Sequence, residues 1–108
     1  MAVYNKLVRD KIPEIIENTG KQFRTKILSE AEYIKELRNK LTEEITEYLE
    51  ADTDEHALEE LSDVLEIIHS LAFVHGSNFE KIEDIRNEKY IKRGGFQEKI
   101  FLIDVEEE

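Results

Sequence analysis

The sequence predicts an all-α fold, an antiparallel four-helix bundle-like domain, and three observations carry that prediction. Apolar residues recur at helical spacing through a long segment, as in Ile34, Leu37, Leu41, Ile45, Tyr48 and Leu49. Glycines at positions 20, 76, 94 and 95 stand where helices should stop. No internal repeat, low-complexity tract or proline- and serine-rich linker interrupts the chain, so residues 1–108 read as one domain.

The first element is a short helix from Asp10 to Thr19, with Pro13 tolerated in its opening turn and Gly20 ending it. The following QFRTKIL is too short and too β-branched for a helix and suits a short strand. Ser29 and Glu32 have the spacing of a capping box, with Leu28 and Tyr33 placed as its hydrophobic staple; they open a long helix running to Glu50. ADTDEH is a tight polar turn in which Asp52, Thr53 or Asp54 is placed to cap the next helix, which ends at His75 before Gly76. So short a link makes the two long helices antiparallel neighbours. Ser77 and Glu80 repeat the capping-box spacing ahead of a fourth helix, NFEKIEDIRNEKYIK, closed by Gly94 and Gly95. The closing FQEKIFLIDV mixes aromatic and β-branched residues and suits a second strand. Residues 22–28 and 99–105 would then add a short β-hairpin to the helical domain.

Acidic residues outnumber basic ones 26 to 15, for a formal charge of -11. That surface repels nucleic acid and anionic membranes, which argues against DNA or a membrane as partner. There is no cysteine, so disulfides and thiolate metal sites are excluded and a reducing compartment is the natural setting. MAVYNKLVRD has no apolar signal core, and no apolar run approaches the ~18 residues needed to span a bilayer. The expectation is a soluble, cytoplasmic protein. The charge is also uneven. Carboxylates crowd residues 30–66 and the DVEEE tail, whereas positive charge collects in NKLVRDK and KYIKRGG. Such a layout suits an anion held beside an acidic, cation-binding centre.

The third helix contains an anomaly. At ~100° per residue, Glu60 projects between Ile67 and Leu71 with Val64 and Val74 on either side, and Asp63 lies at the near edge of the same arc. An unpaired carboxylate there costs several kcal/mol. On the second helix, Glu44 projects within ~20° of Leu37, on the rim of the apolar stripe, and Glu47 follows one turn on; Glu43 points further toward solvent. Residues three apart share a helix face, so Glu44, Glu47, Glu60 and Asp63 can converge. Four converging carboxylates need a cation between them. All-oxygen coordination suits Mg²⁺, with Mn²⁺ as a substitute. Magnesium commonly bridges to phosphates, which points to phosphate-ester chemistry. Glu66 and His69 form a single Glu-x-x-His on the polar side of the helix, where a di-iron site needs two. His56 and His75 lie at helix ends and read as capping or surface residues.

Glu43-Glu44-Ile45-Thr46-Glu47 followed by Glu60-Leu61-Ser62-Asp63 matches E-E-x-x-E then E-x-x-D on antiparallel helices, and so resembles the MazG-like all-α nucleoside triphosphate pyrophosphohydrolases. Relatives of that family include phosphoribosyl-ATP pyrophosphohydrolases and dimeric dUTPases. The opening YNKLVRDKIPEII and the late KYIKRGGF are similar to a small single-domain, house-cleaning branch, so the likeness spans nearly the whole chain. It implies Mg²⁺-dependent cleavage between the α and β phosphates, releasing a nucleoside monophosphate and pyrophosphate. It also implies that Glu44, Glu47, Glu60 and Asp63 are metal ligands, and that Glu43 is a further acid near the metal or the attacking water.

Glu47 is the expected general base, because it lies outside the apolar arc within reach of water. Charge on the departing pyrophosphate calls for fixed cations, and Lys6, Arg9, Lys89, Lys92 and Arg93 are the candidates. Gly94 and Gly95 offer backbone N–H groups. The third helix's apolar arc, ~200° wide, exceeds what one neighbour covers and predicts a homodimer or homotetramer, which the resemblance also implies. Two other readings stand beside this one: phosphoribosyl-ATP hydrolysis on the same scaffold, and a helical interaction module without turnover. Glu60 weighs against the module, since an interface has no need of a carboxylate at its apolar centre.

Overall fold

Ser29 begins the packed part of the chain as its chemistry dictates. Its hydroxyl accepts from the Glu32 N–H at 3.3 Å, while the Glu32 carboxylate accepts from the Ser29 N–H at 3.3 Å and from its hydroxyl at 2.9 Å. The capping box is complete, and these hydrogen bonds hold the Glu32 carboxyl below its usual range. In the computed structural model, which describes residues 2–107, the helices are α1 (Ile12–Glu17), α2 (Glu30–Glu50), α3 (Asp54–Val74) and α4 (Phe79–Arg93). The fold is all-α. Thr53, of the three candidates, caps α3 by accepting from the His56 N–H at 3.1 Å.

Two boundaries differ from the sequence expectation. α1 is shorter than Asp10–Thr19 because Lys11 supplies no side-chain cap and the chain turns at Gly20, whose φ of +79° is a left-handed conformation that glycine tolerates. The second concerns Ser77, which caps nothing: its N–H is spent on the Ala72 carbonyl at 2.9 Å, closing α3 around Gly76 (φ +71°). Asn78 takes the cap instead, its side-chain oxygen accepting from the Lys81 N–H at 3.0 Å.

The expected β-hairpin of residues 22–28 and 99–105 does not form, and no strand occurs among the described residues. β-Branched and aromatic residues make a strand only where a ladder partner and a face to bury exist, and a lone hairpin is marginal in water. Here neither segment has such support: Ile27, Phe101 and Ile103 are almost fully exposed.

Packing is concentrated in the α2–α3 hairpin, which the three-residue link folds antiparallel. Leu37 of α2 and Ile67 and Ala72 of α3 are the buried apolar residues among those described. α4 docks on α3 alone, with the His69 ring stacked on Phe79 at 3.9 Å between centroids and 7° between planes. α1 packs on none of the other helices. The chain is thus an all-α arrangement in which α2, α3 and α4 pack together and α1 stands apart. Its radius of gyration is 18.8 Å, where a compact domain of this length has about 13 Å.

Candidate metal centre

The two long helices bring their acids together at mid-length. Ligand oxygens of Glu44, Glu60 and Asp63 lie within 4.8 Å of one another, and those of Glu43, Glu44 and Glu47 do the same. Glu44 is common to both groups. The set expected from the sequence is thus arranged as two triads sharing one residue, with Glu47 on the α2 side and Asp63 on the α3 side. Glu43 and Glu47 are half-buried and reach the same face.

Burial sets the character of the site. Glu44 is 6% exposed and Glu60 9%, and among the described residues they are the buried charged ones. Glu44 is placed there because it shares the α2 face of Leu37, and Glu60 because it precedes Ile67 by two helical turns; the core that packs the apolar residues carries the acids inside with them. Each carboxylate has one oxygen, Oε2, that is buried and receives no hydrogen bond. Desolvation raises the Glu44 pKa above its ordinary value; the neighbouring Glu47 charge adds to the rise, while Glu60 and Lys40 oppose it.

Three positive or polar groups approach the acids, and two of them were not expected from the sequence. The Lys40 amine is 3.5 Å from Glu44 Oε1 and 3.8 Å from Glu43 Oε2. His56, expected at the surface or as a cap, instead sets its Nε2 3.1 Å from Glu60 Oε1. Both contacts follow from i, i+4 spacing, which is the signal that could have found them: Lys40 with Glu44 and His56 with Glu60. The third is Arg9, expected as a phosphate ligand: its guanidinium donates to Asp63 Oδ1 at 2.7 Å, an ion pair between the segment before α1 and the middle of α3.

The other candidate phosphate ligands are spread out. Lys6 lies over the Tyr4 ring, 5.7 Å from its centroid. Lys89, Lys92 and Arg93 are exposed on α4, the helix that packs against α3, and Gly94 ends that helix with φ +78°. Surface depressions at Glu17–Arg24 and around the α2–α3 turn are lined by none of the acids of the two triads. Glu43, Glu47 and Asp63, half-buried, are the acids of the set that water reaches.

The donor set fits a hard divalent cation. It is all carboxylate, carries two orphaned buried oxygens, and comes from rigid helices held by Leu37 and Ile67. Glu44, Glu60 and Asp63 are the residues that would hold it, with Glu43 and Glu47 alongside.

No protein-family model and no solved structure matches the chain. It is similar to an uncharacterized protein of Mycolicibacterium smegmatis, at 47% identity over 53 residues, which are 49% of this chain and 54% of that protein. The chain spans about half the length of the curated relative it matches. Among the described residues, no helix is long and apolar enough to cross a membrane.

Proposed function

We propose that this protein is a Mg²⁺-dependent nucleoside triphosphate pyrophosphohydrolase of the MazG-like kind, releasing a nucleoside monophosphate and pyrophosphate. The observation that carries the proposal is the pair Glu44 and Glu60: two buried acids on adjoining helices, each with an unpartnered oxygen, beside Asp63. A protein that gained nothing from those charges would be more stable with amides or aliphatic residues there. When bound, Mg²⁺ (or Mn²⁺) supplies charge neutralisation to phosphate oxygens and Lewis acidity toward water.

The chain's own residues divide the remaining work. Glu44, Glu60 and Asp63 fix the cation's place from two helices. Glu47, half-buried on the same face of α2, takes a proton from the attacking water, and Glu43 beside it completes the acidic rim. Arg9, already at Asp63, has guanidinium N–H groups left to meet a phosphate oxygen, with Lys6 in the same segment. Lys89, Lys92 and Arg93 provide positive charge at the end of α4. A non-canonical nucleotide, as in a house-cleaning role, and phosphoribosyl-ATP are both substrates that this chemistry serves.

The protein acts as a homodimer or homotetramer in this proposal. A folded monomer of 12.7 kDa exposes about 6200 Å², whereas this chain exposes 10164 Å². Copies of the chain would cover the exposed apolar residues of α2 and α3 and wall the carboxylate face into a nucleotide pocket. The same exposed residues favour the second reading, a helical interaction module without turnover.

Pyrophosphate release from a panel of canonical and damaged nucleoside triphosphates in millimolar Mg²⁺ separates the two. The expected result is turnover that EDTA and Glu60→Gln abolish. A folded protein with no turnover on any triphosphate or on phosphoribosyl-ATP would leave the interaction module standing.

A further inference from the structure

His56 occupies the first turn of α3 and stands four residues before Glu60, on the same face of the helix. An imidazole N–H at that spacing can donate a hydrogen bond to the carboxylate. With its hydrogen on Nε2, the ring reaches Glu60 Oε1 at 3.1 Å, while Asp52 Oδ1 stands 3.9 Å from Nδ1, beyond hydrogen-bond reach. The ring itself is about half exposed, so packing does not account for its position. Its one close partner is a carboxylate that is nine-tenths buried and whose other oxygen is unpartnered.

A carboxylate on a helix can rotate about its terminal bond and exchange its two oxygens. A donor fixed on Oε1 removes that freedom and determines which oxygen faces the neighbouring acids. We infer that His56 is a positioning residue for the candidate metal centre: its Nε2–H holds Glu60 through Oε1, so that Oε2 is presented together with Glu44 and Asp63 to a divalent cation. The inference rests on the metal-site reading above and adds a residue outside the acidic motifs. His56 touches neither cation nor substrate; it acts through Glu60, as outer hydrogen-bond partners of metal-binding carboxylates commonly do.

Mn²⁺ binding to the full chain tests it, measured by calorimetry and by the electron paramagnetic resonance signal of free Mn²⁺. The variants are His56→Ala, His56→Gln and His56→Asn, with Glu60→Gln as the control for the site. All three His56 variants keep the backbone N–H that Thr53 caps. His56→Ala should weaken Mn²⁺ binding on the order of 10-fold. Gln should recover most of that loss, because its amide nitrogen reaches about as far as Nε2, and Asn, one methylene shorter, should not. Unchanged affinity in His56→Ala, with binding lost in Glu60→Gln, would overturn the inference and leave the metal site intact. Equal behaviour of Gln and Asn would overturn it too, since only a placed donor tells them apart. A wild-type protein that binds no Mn²⁺ would remove the site and the inference together.

Discussion

Glu44 on α2 and Glu60 on α3 meet across the helix interface with ligand oxygens within 4.8 Å, and each keeps a buried oxygen that no donor reaches. Two like charges so placed have two routes to relief, a shared proton or a cation. Lys40 at 3.5 Å from Glu44 offsets part of the charge, but it reaches Oε1 and leaves Oε2 as it is. The proton and the cation compete for the same oxygens, so each is visible in how the other behaves.

The proton leaves a signature in the pH dependence of the metal-free protein. Burial raises the Glu44 pKa in the folded state, so between the ordinary and the raised value the folded chain binds more protons than the unfolded one. Stability therefore falls as pH rises through that interval and is recovered as pH falls back. Glu32 and Glu83, with lowered pKa values, act in the opposite sense at lower pH, so the comparison must be with a variant. In EDTA, the difference in melting temperature between Glu44→Gln and wild type should be largest at neutral pH, in favour of the variant, and shrink on acidification. A pH-independent difference would contradict this account of Glu44.

The cation leaves its signature in ligand linkage. At ten times its dissociation constant, Mg²⁺ contributes about 1.4 kcal/mol to the folded state. For a domain of this length that shifts the melting temperature by several degrees. Glu60→Gln should abolish the shift while leaving the metal-free protein as stable as wild type or more so, because an amide removes the repulsion with Glu44. Loss of metal-free stability in Glu60→Gln would mean that the carboxylate serves the fold, not a cation.

Much of this site is legible in the sequence, for a physical reason. Helical periodicity fixes direction around an axis, so residue spacing alone places Glu60 with Ile67 and Glu44 with Leu37, and all four are buried. The Ser29–Glu32 box is readable for a similar reason, since its chemistry is local. What periodicity cannot supply is contact across the sequence: the Arg9–Asp63 pair joins residues 54 apart and depends on the path of the segment before α1. The missing hairpin is the same limit seen from the other side, because strand residues specify a face and not a partner. His56 and Lys40 are harder to read although each stands four residues from its acid. A basic side chain at that spacing on an open helix ordinarily meets water, and only the burial of Glu44 and Glu60 makes these two contacts consequential.

Arg9 should move metal binding and turnover in opposite directions. Its pairing with Asp63 is a surface ion pair, 58% and 39% exposed, and such pairs contribute about 0–1 kcal/mol to stability. Arg9→Ala should therefore melt close to wild type. Removing the guanidinium frees Asp63 for a cation, so Mn²⁺ alone should bind at least as tightly as before, while kcat/KM for a nucleoside triphosphate should fall with loss of the proposed phosphate contact. A parallel loss of metal affinity and turnover would instead make Arg9 a support for Asp63's position.

The exposed residues of α3 predict assembly. Leu61, Leu65 and Phe73 are 44%, 45% and 71% exposed, on the helix that also carries the buried Ile67 and Ala72. Leu61 and Leu65 lie one turn apart and form a single patch, which a lone chain leaves in water. Light scattering on the eluting protein should give at least twice 12.7 kDa. Leu61→Glu with Leu65→Glu should shift the mass to the monomer, because facing copies would bury like charges at the same patch. Turnover should fall with the mass if copies wall the carboxylate face. A wild-type protein that is monomeric at tens of micromolar, and still active, would show that one chain completes the site by itself.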